Sequence, residues 1–265
     1  MESICEHEPT PAARWRAELA AWQIPESILA KAPESPYGFP VGMFRADPEP
    51  LVSASRDRAL EMLPNNGTVL DVGCGGGRAS LALVPPAGRV IGVDSLPEML
   101  ASFARAAHLG GVDHHEVLGT WPAVAGAAGM ADIVVAHHVA YNIPDLGEFA
   151  LALSRAARRR VVLEMTGAHP WVPTNELWQK FHDLERPTGP TASLAAAVLR
   201  DCGLPIRLHT WHRPPRPASR ADTVSFIRRR LCLPESRDRD VDGALPADYE
   251  FSQREVATLW WDCAK

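Results

Sequence analysis

Lysine is scarce in this chain of 265 residues: Lys31, Lys180 and Lys265 are the only three, and 27 basic residues face 32 acidic ones for a net charge of −5. A domain that holds a phosphate backbone carries a clear excess of positive charge, so this balance argues against one. The preference for arginine is read as a compositional trait, since nothing in the spacing asks for paired guanidinium forks. Cysteine is sparse and scattered. Cys5, Cys74, Cys202, Cys232 and Cys263 are odd in number and never form Cys-x-x-Cys, which speaks against a disulfide framework or a zinc knuckle. No His/Cys/Asp/Glu set has metal-ligand spacing: His114-His115 and His137-His138 are adjacent pairs, and His209-x-x-His212 falls in an expected strand. No metal is expected. No apolar run approaches the roughly 18 to 20 residues that span a bilayer. The start, MESICEHEPTPAARW, is acidic and has the wrong polarity for a signal peptide. These absences lead to the expectation of a soluble, cytoplasmic protein with no membrane partner.

What is present is an ordinary globular composition, 46% hydrophobic and 22% charged, and one enlarged domain is the simplest reading. Residues 13–31 read as helix, with Trp15, Leu19 and Trp22 on one stripe. The stretch 31–50 carries Pro33, Pro36, Pro40, Pro48 and Pro50, which exclude regular helix, yet it also holds Tyr37, Phe39, Met43 and Phe44. It is expected to be an ordered strap over an apolar surface, and residues 1–55 are divided off as this helix and strap. From about 56 onward, short apolar runs at 68–73, 89–94, 114–118, 131–139, 158–167, 205–212 and 254–263 alternate with helical stretches. Such alternation builds βαβ units, a parallel sheet with helices on both faces. Segments at about 168–190 and 213–253 fall outside the pattern as insertions.

The most informative stretch is VLDVGCGGGRAS at 69–80, a buried strand entering a loop with Gly73, Gly75, Gly76 and Gly77 and then a helix. Such a loop exposes backbone amides and a helix N-terminus where no Cβ blocks a ligand. A dinucleotide fingerprint would need a third glycine where Arg78 stands, and a phosphate loop would need Gly-Lys-Ser/Thr; neither is present. Asp71, just ahead of the glycines, would repel a pyrophosphate but suits an ammonium group. Asp94, closing RVIGVD, stands where an acid accepts both hydroxyls of a ribose. A ligand with a ribose, an ammonium and no phosphate is S-adenosyl-L-methionine.

With these residues the chain resembles the class I S-adenosylmethionine-dependent methyltransferases, well over about 60–165 and elsewhere by order of elements. VLDVGCGGGRAS resembles their first motif, VIGVDSLPEML at 90–100 the second and ADIVVAHHVAYNIPD at 131–145 the fourth. The resemblance implies a Rossmann-like, mostly parallel seven-stranded sheet with the last strand antiparallel, plus an N-terminal helical cap. It also implies cofactor contacts from Asp71, Gly73, Cys74, Gly75, Arg78, Asp94, Ser95, Met99, Thr120, Trp121 and His137, with Asp94 on the ribose and Met99 on the adenine face. LGTWP at 118–122 departs from the family's usual Gly-Asp, with Thr120 in the acid's place.

For the chemistry, His137 and His138 close the fourth strand, where parallel sheets place ligands. Successive strand residues face opposite sides, so at most one faces the methyl group. Motif position favours His138 toward the substrate and His137 toward the cofactor; packing roles for both are the competing reading. Tyr141 and His169 are the other catalytic candidates, with Asn142, Glu164 and Trp171 near the same crevice. WQKFHDLERP at 178–187 puts Trp178, Phe181 and His182 on one stripe, a lid or pocket wall or else a helix packed on the sheet. The runs Arg158–Arg160 and Arg228–Arg230 read most simply as solvated ends. The expected function is methyl transfer to an O or N atom of a small molecule, with a nucleic-acid methyltransferase or a non-catalytic cofactor-binding protein as alternatives and a homodimer left open. The fourth motif reads AHHV where enzymes acting on base amino groups commonly carry Asn/Asp-Pro-Pro-Tyr/Phe, which weighs against nucleic acid.

Overall fold

The computed structural model describes residues 8–37, 52–215, 219–249 and 253–263. Phe39, Met43 and Phe44 of the expected strap, with Pro40, Pro48 and Pro50, lie outside them. The described chain forms one seven-stranded sheet: β1 (Gly67–Val72), β2 (Ala87–Asp94), β3 (Asp113–Leu118), β4 (Ala131–His137), β5 (Ala157–Thr166), β6 (Arg207–Arg213) and β7 (Arg254–Asp262). Their spatial order is β3-β2-β1-β4-β5-β7-β6. β1 to β5 are parallel, while β7 runs antiparallel to both β5 and β6. This is the expected Rossmann-like sheet with its last strand antiparallel. Because β7 lies reversed between them, β6 runs in the same direction as β5. Its Arg213 end therefore reaches the edge where β1, β4 and β5 also end.

The alternation of side chains across each strand creates two cores. Leu70, Ile91, Val134, Val161 and Leu259 face α1 (Pro11–Ala20), α7 (Leu146–Ala156) and α9 (Ala192–Asp201), and Trp15 of α1 is fully buried among them. Val69, Val90, Ile133, Val135 and Val162 face α3 (Ala54–Leu60) and α5 (Pro97–Leu109), where Phe103 is fully buried. The helix expected over 13–31 is two helices, α1 and α2 (Glu26–Leu29), with Pro25 as the cap of the second. Trp15 Nε1 donates to the Ile143 carbonyl at 2.8 Å, which ties α1 to the segment after β4.

A third core stands apart from the sheet. α8 (Asn175–His182), α10 (Arg220–Arg230) and α11 (Asp238–Asp242) bury Leu177, Trp178, Ile227, Leu231 and Val241, and Ile24, Ile28 and Leu29 pack against them. The helix expected over 178–187 thus begins earlier and stops at His182, where Asp183 turns left-handed. It packs against α10 and not on the sheet.

The arginine runs are solvated only in part: Arg158 and Arg159 are exposed, whereas Arg160, Arg228 and Arg230 are buried. Arg160 is 4% exposed, because strand alternation turns it inward on the face of Val162. It donates to Asp262 at 2.7 Å, to Glu61 at 2.7 Å and to the Arg58 carbonyl at 2.8 Å. Arg228 is equally buried and binds Glu34 at 2.7 Å and Asp238 at 3.0 Å, while the guanidinium of Arg230 lies 4.2 Å over the Trp171 ring. Buried guanidinium groups need such partners, since an unpaired one would lose its hydration without return.

Candidate functional site

Reversal of the chain order between β1 and β4 makes a crevice at the carboxyl edge of the sheet, the usual ligand position in open α/β folds. Four loops are bound together there. Gly73 lies so close to the loop after β4 that a Cβ would stand 2.1 Å from Val139 Cγ1, and its φ of +72° is itself one that side chains resist. The Gly75 amide donates to Asp94 Oδ2 at 2.9 Å, the Leu96 amide to Asp94 Oδ1 at 3.0 Å, and the Gly119 amide to the Asp94 carbonyl at 2.9 Å.

This geometry corrects the expectation that the glycine loop offers free amides and a helix end. Gly73 and Cys74 donate their amides to the Val93 carbonyl, and α4 (Arg78–Leu81), which Arg78 opens, is a single turn. The loop is wound onto the end of β2, with Cys74 buried beside Gly92 and its thiol pushed up by burial. Asp71 is buried and accepts from Ser80 Oγ at 2.7 Å and from the Ser80 amide at 3.2 Å. Burial raises its carboxyl above the ordinary value against the opposing Ser80 bond and the charge of His137. Its described contacts secure the loop from beneath. Asp94 stays half-buried at the rim, with spare lone pairs on both oxygens, and Ser95 beside it is exposed. Met99 is buried but belongs to neither sheet core. Thr120 is exposed at the mouth, and Trp121 is buried with no hydrogen-bond partner for its Nε1 among the described residues.

A polar row crosses the sheet below the crevice. Asp71, His137, Glu164 and Thr258 occupy β1, β4, β5 and β7 on the face of Val69, Val135 and Val162, with His137 opposite Glu164 and Glu164 opposite Thr258. His137 Nε2 is inaccessible and has no hydrogen-bond partner among the described residues, and burial holds the imidazole below its ordinary pKa despite Glu164 and Asp71. Ser55 and Thr258 share a hydroxyl bond of 2.7 Å, and Trp211 Nε1 donates to Thr258 Oγ1 at 3.0 Å. Burial would raise the Glu164 carboxyl, but the field of His137 and hydrogen bonds from His138 and Ser55 outweigh it and keep the group ionised.

His138 leaves the strand in a left-handed conformation, φ +60°, which is strained for a residue with a Cβ. Its Nε2 lies 2.9 Å from Glu164 Oε1 and 2.9 Å from Arg213 Nη1. Of the three catalytic candidates, it is the one with an accessible ring. Tyr141 is buried, stacks on Trp15 and donates its hydroxyl to the Thr166 carbonyl at 2.7 Å, with its ionisation pushed up by burial. His169 is buried against Trp22, ring centroids 3.9 Å apart, and meets Tyr141 edge-on. Burial and the nearby Arg186 push its pKa down to about 3, so it is a poor base. Sequence reasoning placed Glu164 near the crevice but missed Arg213 and Ser55. An acid within the apolar run VVLEM was the available signal for Glu164; Arg213 reaches the site across β7, which no local pattern announces.

The sheet order, the loop and acid at the ends of β1 and β2, and the nitrogens of Trp121 and His137 that have no partner among the described residues are the setting for the comparisons with known proteins. Residues 69–160 match the family model described as "Methyltransferase domain". This segment matches a methyltransferase domain, and S-adenosylmethionine is the cofactor of the class that its sequence resembles. Among solved structures, the chain is similar to the YcgJ protein from Bacillus subtilis, with TM-score 0.54 and 19% identity over 80% of this chain and 98% of that one. It is also similar to a protein described as a methyltransferase from Bacillus halodurans C-125, with TM-score 0.55 and 16% identity over 80% and 100%. A protein from Galdieria sulphuraria described as a sarcosine dimethylglycine methyltransferase gives TM-score 0.52 and 15% identity over 78% and 83%. At such identities the likeness is one of fold. Comparison with curated protein sequences returns no match.

Proposed function

We propose that this protein transfers the methyl group of S-adenosylmethionine to an oxygen or nitrogen atom of a small molecule, with His138 as the residue that meets the acceptor. The observation that carries this reading is the left-handed, partly accessible His138 beside the Gly73–Val139 contact, backed by an ionised Glu164. The cofactor, when bound, supplies an electrophilic methyl group on sulfur. Asp94 is the rim acid suited to ribose hydroxyls, His137 and Trp121 bring buried N–H-bearing rings to the same edge, and Met99 offers an apolar face for the adenine. Tyr141, Trp15, Trp22 and His169 form the wall behind the acceptor position and exclude water from it, where positioning supplies much of the rate of an in-line displacement. The helical third core and the N-terminal segment supply the remaining boundary of the acceptor chamber.

Two measurements test this. By calorimetry, Asp94→Ala should weaken S-adenosylmethionine binding at least tenfold, or about 1.4 kcal/mol. Labelled methyl groups from the cofactor should appear in the low-molecular-mass fraction of a metabolite extract. Unchanged affinity would overturn the ribose assignment, and label recovered in RNA or DNA instead would overturn the acceptor class.

A further inference from the structure

His138 Nε2 makes two contacts that a single protonation state cannot satisfy. A guanidinium only donates and an ionised carboxylate only accepts, so Nε2 needs a lone pair for Arg213 and a proton for Glu164. A neutral imidazole carries one N–H. The choice at Nε2 therefore fixes the state of Nδ1, which makes no hydrogen bond among the described residues.

Several observations favour Glu164. Its carboxylate is 6% exposed and, once ionised inside the protein, needs donors. A hydrogen bond to an ionised group is roughly twice as strong as a neutral one. Arg213 Nη1 also lies 3.7 Å from the same Glu164 Oε1, so the guanidinium keeps a favourable charge pairing without the imidazole lone pair. Glu164 further accepts the His138 amide through its own carbonyl at 2.6 Å, and so holds the strained residue at backbone and ring together. The other ionisable groups facing this point are His137, on the adjacent strand position, and Asp71 beyond it. The His138 ring is 29% exposed at the crevice mouth, and Nδ1 is the ring nitrogen that neither Glu164 nor Arg213 engages.

We propose that Glu164 is a positioning residue that holds His138 as its Nε2–H tautomer, that Nδ1 is the atom that takes the acceptor's proton, and that Arg213 is the opposing donor which this arrangement turns away from the ring. The acceptor's O–H or N–H bond breaks, the proton goes to the Nδ1 lone pair, and the electron pair stays on the acceptor atom. The resulting imidazolium keeps Nε2–H on Glu164, whose negative charge balances it. This rests on the methyl-transfer reading for its acceptor, though not for the tautomer itself.

The test is the protonation pattern of the His138 ring, read by long-range 1H–15N NMR on the full chain labelled in histidine, with His138→Asn identifying the signals. Wild type and Arg213→Met should both show Nε2–H with a bare Nδ1. Glu164→Gln should shift the population toward Nδ1–H as Arg213 takes over Nε2. A wild-type ring found as Nδ1–H, or a Glu164→Gln ring unchanged from wild type, overturns the proposal. Were Glu164→Gln not to fold, the wild-type tautomer alone decides. Cofactor affinity measured on the same samples keeps the two questions apart: its absence overturns the methyl-transfer reading, while the tautomer judges Glu164.

Discussion

His169 illustrates how far packing can remove an imidazole from acid–base chemistry. Face to face with Trp22 and edge-on to Tyr141, it accepts the Trp171 amide at Nδ1 and stays neutral, with its pKa pushed from 6.5 to about 3 by burial and by Arg186. A histidine depressed in the fold binds fewer protons there than in the unfolded chain. Its stabilisation is complete above pH 6.5 and is lost as pH falls from there toward 3. At pH 5 the loss is on the order of 2 kcal/mol. In His169→Gln, whose amide oxygen can still accept from Trp171, that part of the acid sensitivity should vanish. Urea denaturation at pH 7 and pH 5 reads it directly: wild type should lose about 2 kcal/mol more between the two than the variant does. His137, also depressed, contributes equally to both proteins, so the difference reports His169, and equal losses would remove the argument.

At the scale of the element, β5 shows what sequence made legible and what it did not. The apolar run through Val161, Val162 and Leu163 marked a buried strand, and its alternation puts Arg160, Val162 and Glu164 on one face. The role of Arg160 was hidden because its partners come from far away: Glu61 lies just past α3 and Asp262 ends β7. The glycine loop and Asp94 were legible because one continuous stretch carries them. The third core was not, since its pieces at 24–32, 177–184 and 224–249 are separated in sequence by β1 to β5 and by β6, and its amphipathic helices match no strand rhythm. The Arg160 clamp carries its own prediction. Glu61 and Asp262 are each about 40% exposed and can regain water, so Arg160→Leu should cost only about 1–3 kcal/mol, below the penalty for stranding a fully buried charge. Arg159→Ala, from a half-exposed side chain with a single 3.6 Å contact to Asp132, should change stability by less than ~0.5 kcal/mol. Equal effects on chemical denaturation would show that strand alternation does not separate the two neighbours.

On the scale of the whole molecule, two cores share the sheet and the third does not, and this division should be visible in how the protein opens. Leu231 is fully buried in the third core, at the end of α10, where its carbonyl also bonds His182 at 2.6 Å. Arg228, through Glu34 and Asp238, ties the N-terminal segment to the same helices. Leu231→Ala removes buried methyl groups at a cost of about 2–5 kcal/mol. Since Leu231 packs in a cluster separate from the strands, the cost should fall on local opening of α8, α10 and α11 and not on the sheet. Amide hydrogen exchange should therefore speed up over 175–182 and 220–242 in the variant, while Val134, Val135, Val162 and Leu163 keep wild-type protection. S-adenosylmethionine affinity should stay within about twofold, because the loops after β1, β2 and β4 are anchored by one another, by the sheet and by α1, none of which belongs to the third core. Parallel loss of protection in helices and strands would mean instead that the molecule opens as one unit, and the helical region could not then reshape itself around an acceptor without disturbing the cofactor edge.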